Sequence, residues 1–398
     1  MTAPRRLSVL LTHPVQYFKP VFQALAAEPD LDTEVLFGCD HGLRDSLDPD
    51  FGVAFRWDSG PTEGFAHRVL SRRPLADLSR PGPALALAAR AVGQLLRRRP
   101  DAVLVFAYSP VFITAASLGL AAAGLPLLLR ADGTDRAFRR SAARSWLKDR
   151  LLRRYYRLFA GVFPIGSDSD DHFARLGVPA RCRRMVPFAV DHGFFEGQRR
   201  HWGPQRHGLR RQLGIPDGAE VLLTMGKMTP VKAPLLLADA VARLEPRRRA
   251  QLWLIAVGDG PLRADYQRAM AALLPGRCHC PGFQNQTELG RWYALADTLV
   301  FPSVEGETWG LVVNEALQFG LRVVASDHVG CARDLLTAPP HRVFTSGSAG
   351  ALAEALAEPA QAGPPAADLP RPEALAAAVA AAVRALPRRQ ASSSHQRQ

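Results

Sequence analysis

Residues 302–317 read Pro302-Ser-Val-Glu-Gly-Glu-Thr-Trp-Gly-Leu-Val-Val-Asn-Glu-Ala-Leu317. The apolar segment before them ends as a buried strand, and residues 310–319 have the apolar period of a helix that Gly320 stops. Glu307 therefore precedes the helix, and Glu315 lies within it. The start of the helix, between the two carboxylates, offers free N–H groups to an anion. The stretch predicts a strand, loop and helix unit that can bind a hydroxyl-rich, phosphorylated ligand.

The same alternation of strands and helices extends through the chain. Strands are predicted in the first half at residues 7–12, 33–37, 102–106, 126–130, 162–165 and 183–187, and in the second half at 221–225, 252–257, 278–280, 298–301 and 322–325. Helical patterns separate most of them, which indicates parallel sheets covered by helices. Residues 190–218 lack a clean period and read as a linker. The predicted fold class is α/β, with two Rossmann-like doubly wound domains facing a central cleft.

The sequence predicts two domains and a short tail. Residues 1–190 form the amino-terminal domain, and residues 191–386 form the carboxyl-terminal domain, in which residues 351–386 supply closing helices. Residues 387–398 are polar and are predicted to be a disordered tail.

A turn with two lysines follows the first strand of the second half. It reads Gly226-Lys-Met-Thr-Pro-Val-Lys232, and the chain has only four lysines among 50 basic residues. Ligand crevices open at this end of a parallel sheet. Ammonium groups fixed there can stabilise a diphosphate leaving group. The alternative is that Lys227 and Lys232 are solvated loop residues.

Four motifs in a fixed order resemble the retaining family 4 glycosyltransferases, which have the GT-B fold. They are the lysine turn, Val257-Gly-Asp-Gly-Pro261, Pro281-Gly-Phe-Gln284, and the two glutamates separated by seven residues. The resemblance implies that Glu315 binds the nucleotide ribose and that Glu307 orients the transferred sugar. It also implies that Gly282 and Phe283 contact the base. The donor phosphates would lie against Gly226, Lys227, Lys232 and the residues Thr308, Trp309, Gly310 and Leu311.

One residue departs from the family pattern, and three others have simpler interpretations. Lys227 stands where the family commonly has arginine, so the charge is kept and the bidentate fork is not. Phe283 is equally an ordinary core aromatic, Glu307 a carboxylate at a helix start, and Glu315 a solvated helix residue.

The amino-terminal half supplies weaker candidates. His13, Gln16 and Tyr17 lie in the first strand-to-helix turn and are predicted to contact the acceptor or the diphosphate, unless they are turn and core residues. Related enzymes have a histidine after the strand at 126–130. Here the segment reads Arg130-Ala-Asp-Gly-Thr-Asp135, so Asp132, with Arg130, is the candidate for sugar contact, or else a helix cap. Asp40 and His41 are further candidates for acceptor contact.

Composition excludes several classes of protein. The formal charge of +13 is carried almost entirely by arginine, which resembles a coding bias more than a site for a polyanion. Five scattered cysteines do not suggest disulfides, and Cys278-His-Cys280 reads as a strand rather than a metal site. No apolar run reaches the length of a spanning helix, and the amino terminus does not resemble a secretory signal. We expect no metal, no cofactor and a cytoplasmic location.

Residues 136–156 form a basic stretch, and Leu147, Leu151, Tyr155 and Leu158 recur at helical spacing along the helix predicted near residues 141–159. In the simpler interpretation, these apolar residues pack on the sheet. The other places the helix on anionic lipid, at the inner face of a membrane.

The sequence therefore predicts a hexosyltransferase-type, retaining, metal-independent glycosyltransferase, typical of bacterial polysaccharide or glycolipid synthesis. It would use a UDP-, GDP- or dTDP-sugar and a glycan or lipid-linked acceptor. A nucleotide-sugar epimerase of the same fold is the first alternative, and an arginine-rich nucleic-acid-binding protein is the second.

Overall fold

The computed structural model of the protein describes residues 3–48, 53–136, 142–360, 363 and 365–387. The predicted tail, residues 387–398, lies outside the described residues except for Pro387.

Six parallel strands form the sheet of the amino-terminal unit. The strands of this half are β1 (Arg5–Leu11), β2 (Leu31–Phe37), β3 (Ser46–Asp48), β4 (Val53–Phe55), β5 (His67–Val69), β6 (Ala102–Phe106), β7 (Leu127–Ala131) and β8 (Phe159–Pro164). The sheet has the order β5-β2-β1-β6-β7-β8, and β3 and β4 form a separate antiparallel hairpin. The continuous apolar runs of β6 and β7 are buried on both faces, which is the pattern that parallel sheets require.

Helices cover both faces of this sheet. They are α1 (Lys19–Ala27), α2 (Pro81–Arg98), α3 (Val111–Ala122), α4 (Ala142–Tyr156) and α5 (Ser167–Arg175). Helix α2 packs its buried alanine and leucine stripe against α3 on one face, and α1 packs through Val21, Phe22 and Leu25 on the other.

The carboxyl-terminal unit repeats the architecture with a second parallel sheet. Its strands are β9 (Glu220–Met225), β10 (Leu252–Val257), β11 (Cys278–Gly282), β12 (Thr298–Phe301), β13 (Arg322–Ser326) and β14 (Arg342–Phe344), in the order β11-β10-β9-β12-β13-β14. Its helices are α6 (His192–Trp202), α7 (Arg206–Gln212), α8 (Pro234–Arg243), α9 (Pro246–Ala250), α10 (Arg263–Leu273), α11 (Gln286–Leu295), α12 (Leu311–Gln318), α13 (Ala332–Leu335), α14 (Ala349–Ala357) and α15 (Pro372–Ala385). The two sheets confirm the predicted α/β, doubly wound fold class.

Two local predictions were wrong. Residues 190–218 were read as an irregular linker, but α6 and α7 occupy most of them. Glycines and arginines obscure the apolar period of α6, whose start is fixed by the Asp191 carboxylate accepting a hydrogen bond from the Phe194 N–H at 2.9 Å. The predicted strand at 183–187 is reduced to one bridge between Val162 and Arg183.

The last helix crosses back to the amino-terminal unit. Helix α14 packs beneath the second sheet, whereas Leu375, Val379 and Val383 of α15 pack with α1 against the first sheet. The chain thus joins its two units twice, where it passes from β8 to α6 and again through α15. No helix among the described residues has the length and apolar content needed to cross a bilayer.

Candidate functional site

The carboxyl ends of the two sheets face each other across a cleft. Asp132, which follows β7, accepts a hydrogen bond from the Thr308 hydroxyl at 3.2 Å, and Thr308 lies between β12 and α12. The Arg136 guanidinium donates to the backbone carbonyl of Asp327, after β13, at 2.8 Å. Because ligands of doubly wound sheets bind at these strand ends, the cleft is the candidate site.

Lys232 and Glu307 are brought together at the mouth of β9 and β12. The Lys232 ammonium donates a hydrogen bond to the Glu307 carboxylate, and both side chains are largely buried. The ammonium also lies 5.3 Å from the centre of the Phe301 ring. The predicted diphosphate cation and the predicted sugar-orienting carboxylate therefore share one charged pair.

Glu315 lies one turn inside α12 and accepts a hydrogen bond from the Tyr293 hydroxyl at 2.6 Å. Part of its side chain remains accessible from the cleft, while the surrounding protein desolvates the carboxyl group. This burial raises the pKa of Glu315 to about 7, against a smaller lowering by the Tyr293 hydroxyl. Tyr293 is itself buried and stacks on Phe319 with ring centres 5.3 Å apart. Glu315 is therefore held in place from α11.

The start of α12 has no side-chain cap. Its first residue follows Gly310, which has a φ of +100°. A Cβ atom at Gly310 would also lie 3.0 Å from both Phe301 and Val329, so glycine is required by conformation and by space. The first N–H groups of the helix, at Leu311 and beyond, have no side-chain acceptor at this cap. The helix start can thus bind an anion.

The Trp309 ring is buried in the protein and supports the loop before α12. The indole N–H donates to the Asn314 side chain at 2.8 Å, and the side chain is 2% exposed. The ring packs against Phe188, with centres 6.3 Å apart. Trp309 therefore fixes the loop before α12.

Three glycine turns pack against one another beside the lysine turn. A Cβ atom at Gly258 would lie 1.9 Å from the Gly226 carbonyl oxygen, so the two backbones approach more closely than any other residue allows. The Gly258 N–H donates to the Gly282 carbonyl at 2.9 Å. Gly282, with a φ of +84°, directs the chain into Phe283. These contacts hold the predicted phosphate and base segments, including Lys227, together at the carboxyl ends of β9, β10 and β11.

The amino-terminal candidates lie on the opposite wall. His13 stands 5.3 Å from His41 between ring centres, and burial, followed by the charge of His41, lowers the pKa of His13 to about 4. The Gln16 side chain accepts from the Ser59 hydroxyl at 3.4 Å. Burial, and then the nearby Asp132 carboxylate, raises the pKa of Tyr17, so its hydroxyl stays protonated. The first unit thus places two neutral groups, on His13 and Tyr17, and the acidic side chain of Asp132 on its wall of the cleft.

Arg130 does not fit the role that the sequence suggested. Its guanidinium is buried and donates to the backbone carbonyls of Phe163, at 3.2 Å, of Pro164, at 3.0 Å, and of Val186. These bonds use the cation to join β7, β8 and the segment after β8. Arg130 therefore acts as a structural anchor rather than a contact for the sugar, the acceptor or the diphosphate.

Two residues that the sequence did not indicate contribute to the site. Tyr293, in α11, donates its hydroxyl hydrogen to the Glu315 carboxylate. Phe188 follows β8 and lies between the units: its carbonyl accepts from Asn314 at 3.1 Å, and its ring packs on Arg130 at 4.8 Å and beside Trp309. Neither residue belongs to a local pattern, because its role depends on partners that are distant in sequence.

Comparison with known proteins agrees with this geometry. Residues 205–366 match the family model "Glycosyl transferases group 1". A D-inositol 3-phosphate glycosyltransferase 2 from Catenulispora acidiphila is 36% identical over 137 residues, which cover 32% of each chain. The match to this relative thus spans about a third of its length.

Two solved structures have the same fold over most of their length. Anabaena Alr3699/HepE, in complex with UDP and glucose, has a TM-score of 0.64 at 18% identity, covering 95% of both chains. The UDP-GlcNAc 2-epimerase from Neisseria meningitidis, bound to UDP-GlcNAc, has a TM-score of 0.58 at 14% identity, covering 88% of this chain and 89% of the epimerase. Residues 205–366 of this chain are thus similar to the glycosyl transferases group 1, and the chain as a whole has the GT-B fold of these solved structures.

Proposed function

We propose that the protein is a retaining, metal-independent glycosyltransferase that moves a sugar from a nucleotide diphosphate to an acceptor hydroxyl. The observation that carries the proposal is the grouping of Glu307, Glu315 and Lys232 around the uncapped start of α12. A nucleotide sugar needs cations for its diphosphate and acceptors for its ribose and sugar hydroxyls. This grouping supplies both.

Each part of the donor then has a partner on the second sheet. The Glu315 carboxylate binds the ribose hydroxyls, and Gly282 and Phe283 lie along the base. The diphosphate lies between Lys227, Lys232 and the N–H groups at the start of α12. These groups supply fixed positive charge where the leaving diphosphate develops negative charge, so the chemistry needs no metal clamp.

The breaking of the glycosidic bond leaves the electron pair on the diphosphate. Glu307 orients the sugar, and its pairing with Lys232 favours an orienting role over a nucleophilic one. The acceptor hydroxyl attacks from the side that the diphosphate leaves, and a donor phosphate oxygen takes its proton. Asp132, with Tyr17 beside it, faces this region from the first unit. Analysis of the anomeric configuration of the product by NMR tests retention.

The acceptor side of the proposal rests on a cavity of about 550 Å³ at the carboxyl ends of β2 and β5. Its lining comprises Asp40, Leu43, Val69, Leu70, Ser71, Arg72 and Arg90. Asp40 is paired with Arg44 at 2.7 Å, whereas no carboxylate of the described residues pairs with Arg72 or Arg90. Two such guanidinium groups favour an acceptor that bears a phosphate or carboxylate. A glycan or a lipid-linked saccharide with such a group fits.

The outer face of α4 supports contact with a membrane at its cytoplasmic side. Leu147 and Leu151, expected to pack on the sheet, are instead 54% and 60% exposed, and Trp146 is 64% exposed. The Arg150 guanidinium lies 5.8 Å from the Trp146 ring centre. Aromatic and aliphatic groups among arginines suit an anionic lipid surface.

Sedimentation with anionic vesicles tests this contact. The double variant Leu147→Ser and Leu151→Ser should bind less than the parent protein. Leu85→Ser, which changes a leucine of equal exposure, 54%, on α2, serves as the matched control. Equal binding of all three proteins would rule the contact out.

A nucleotide-sugar epimerase is the second candidate, because the Neisseria epimerase has a similar fold. The match of residues 205–366 to the group 1 family favours transfer. Incubation with the donor sugar alone distinguishes the two: an epimerase rearranges the sugar, whereas a transferase leaves it intact or slowly hydrolyses it. No observation favours the nucleic-acid-binding alternative.

The decisive experiment is a thermal-shift screen with uridine, guanosine and deoxythymidine diphosphates and their sugars. A ligand that binds the folded state raises the melting temperature by mass action. One nucleotide series should stabilise the protein, and Glu315→Ala and Lys232→Ala should each weaken that effect. Folded protein that responds to none of the ligands would overturn the proposal.

A further inference from the structure

Two cysteines on β11 lie side by side. The Sγ atoms of Cys278 and Cys280 are 3.7 Å apart, and both side chains are partly accessible. Alternate residues of a strand point to the same face, so both thiols face the packing layer under α10. The three other cysteines, Cys39, Cys182 and Cys331, are free as well and distant in sequence.

The surroundings of the pair favour reaction of one thiol. The pKa of the Cys280 thiol is lowered, chiefly by its hydrogen bond with the Cys278 thiol and also by Gln267 and Arg263, although burial opposes this lowering. The same interaction raises the pKa of Cys278. The Tyr266 hydroxyl, buried beside both thiols, has no hydrogen-bond partner among the described residues. A thiolate at Cys280 is thus partly stabilised, and thiolates are the reactive form.

The backbone at this point can bend. Strand β11 is the edge of the second sheet and pairs only with β10. The ladder passes from Ile255 opposite His279 to Val257 opposite Gly282, so Cys280 and Pro281 together oppose one residue. Such a bulge, with a proline that donates no hydrogen bond, lets the chain tighten without breaking a regular ladder. The sulfurs must approach from 3.7 Å to about 2.05 Å to bond.

From this geometry we infer that Cys278 and Cys280 form a redox-active dithiol that a peroxide closes into a disulfide. The Cys280 thiolate attacks a peroxide oxygen, the O–O bond breaks, and a sulfenic acid forms with release of hydroxide. The Cys278 sulfur then attacks the Cys280 sulfur, the S–O bond breaks, and water carries off the oxygen and the thiol proton. The hydroxide takes up the proton that Cys280 lost on ionisation, so two electrons pass from the thiols to hydrogen peroxide, which becomes two molecules of water.

Formation of the disulfide should move the residues that follow Cys280 in the chain. Tightening of β11 displaces Gly282 and Phe283, which the proposed function assigns to the nucleotide base. Oxidised protein should therefore bind the nucleoside diphosphate more weakly, by a factor of roughly three to ten, as for a strained contact.

Thiol counting on the full chain tests the dithiol without reference to nucleotide binding. Titration of the denatured protein should find five thiols before treatment with hydrogen peroxide and three after it, because one disulfide consumes two. Peptide mapping should join Cys278 to Cys280. Cys182→Ser, which removes another partly accessible thiol, should form the same disulfide.

Trapping gives an independent measurement. In Cys278→Ser the Cys280 sulfenic acid has no resolving thiol and should react with dimedone, whereas Cys280→Ser should give little adduct. Should the serine variants fail to fold, a trivalent arsenical that bridges two thiols is added to the parent protein and should block oxidation at this pair. A disulfide elsewhere, or thiols unchanged at a peroxide concentration that oxidises free cysteine, would overturn the inference. Disulfide formation with unchanged nucleotide affinity would overturn the link to the base segment only.

Discussion

At the scale of single residues, Glu315 combines a titratable group with a desolvated position. Its identity as a candidate was visible in sequence, because its spacing from Glu307 matches a known motif. Its raised pKa was not visible, since it results from burial in the folded protein, and the Tyr293 hydroxyl, 22 positions away, opposes it by a smaller amount.

Replacement of Glu315 by glutamine should change how stability depends on pH. The pKa of Glu315 rises from 4.5 in the ordinary state to about 7 in the folded protein. A raised carboxyl pKa favours the protonated form, so the parent loses stability as pH rises from about 4.5 to 7. Glu315→Gln should match the parent in stability at low pH and exceed it above pH 7, by on the order of 3 kcal/mol. Chemical denaturation at several pH values measures the difference; a difference that is constant with pH would contradict the assignment.

Removal of the Lys232 ammonium should lower the catalytic efficiency of the enzyme. Lys232→Ala takes away a cation placed where the leaving diphosphate gains charge, and kcat/KM should fall by roughly 10²–10³. Lys232→Arg should recover part of the activity, because it keeps the charge. Arg243→Ala, an exposed cation at the end of α8, is the control and should leave kcat/KM within error. Steady-state kinetics with the donor identified by thermal shift provides the measurement.

At the scale of elements, α12 has the position the sequence predicted, between β12 and Gly320. The helix period and the glycine stop are local signals, so they can be read from one chain. The contrary case is α6, where Gly193, Gly197 and several arginines hide the period and tertiary contacts decide the conformation. The apolar stripe predicted along α4 is divided: Tyr155 and Leu158 pack on the first unit, whereas Leu147 and Leu151 are exposed, because periodicity reveals a stripe but not what covers it.

The start of α12 depends on Gly310. Gly310→Ala should destabilise the protein by roughly 1–3 kcal/mol, since the new Cβ meets Phe301 and Val329 at 3.0 Å in addition to the unfavourable φ. Gly276→Ala separates the two effects, because Gly276 also has a positive φ, +72°, but open space around its Cβ. Denaturant unfolding of both variants should find the larger loss at Gly310. Equal losses would mean that crowding at α12 is unimportant.

At the scale of the whole molecule, contacts between the units hold the cleft closed. The Asp334 carboxylate, in α13, accepts hydrogen bonds from the Ser167 N–H at 3.1 Å and from its hydroxyl at 2.5 Å. The Asn285 side chain donates to the Arg56 carbonyl at 2.8 Å on the other side of the cleft. Closure of this kind excludes water from the reacting sugar.

Loss of the Asp334 contact should shift the protein towards an open arrangement. Asp334→Ala removes both bonds to Ser167, which together are worth roughly 1–3 kcal/mol. Small-angle scattering should give a larger radius of gyration than for the parent protein. Asp265→Ala is the control, since among the described residues the Asp265 carboxylate pairs with Arg268 of its own helix alone. An unchanged radius in Asp334→Ala would indicate that other contacts set the closure.

The sequence by itself determined the alternation of strands and helices, the doubly wound class, and the order of the donor-side motifs. These depend on residues that are neighbours along the chain, and their hydrophobic period and turn chemistry are local. Only the tertiary structure decided four contacts between distant residues. Lys232 pairs with Glu307, and the Tyr293 hydroxyl donates to Glu315. The Arg130 guanidinium donates to backbone carbonyls, and the Thr308 hydroxyl donates to Asp132. Each of these pairs joins residues far apart in sequence, whose approach is set by packing of whole sheets and helices and leaves no periodic trace in one chain.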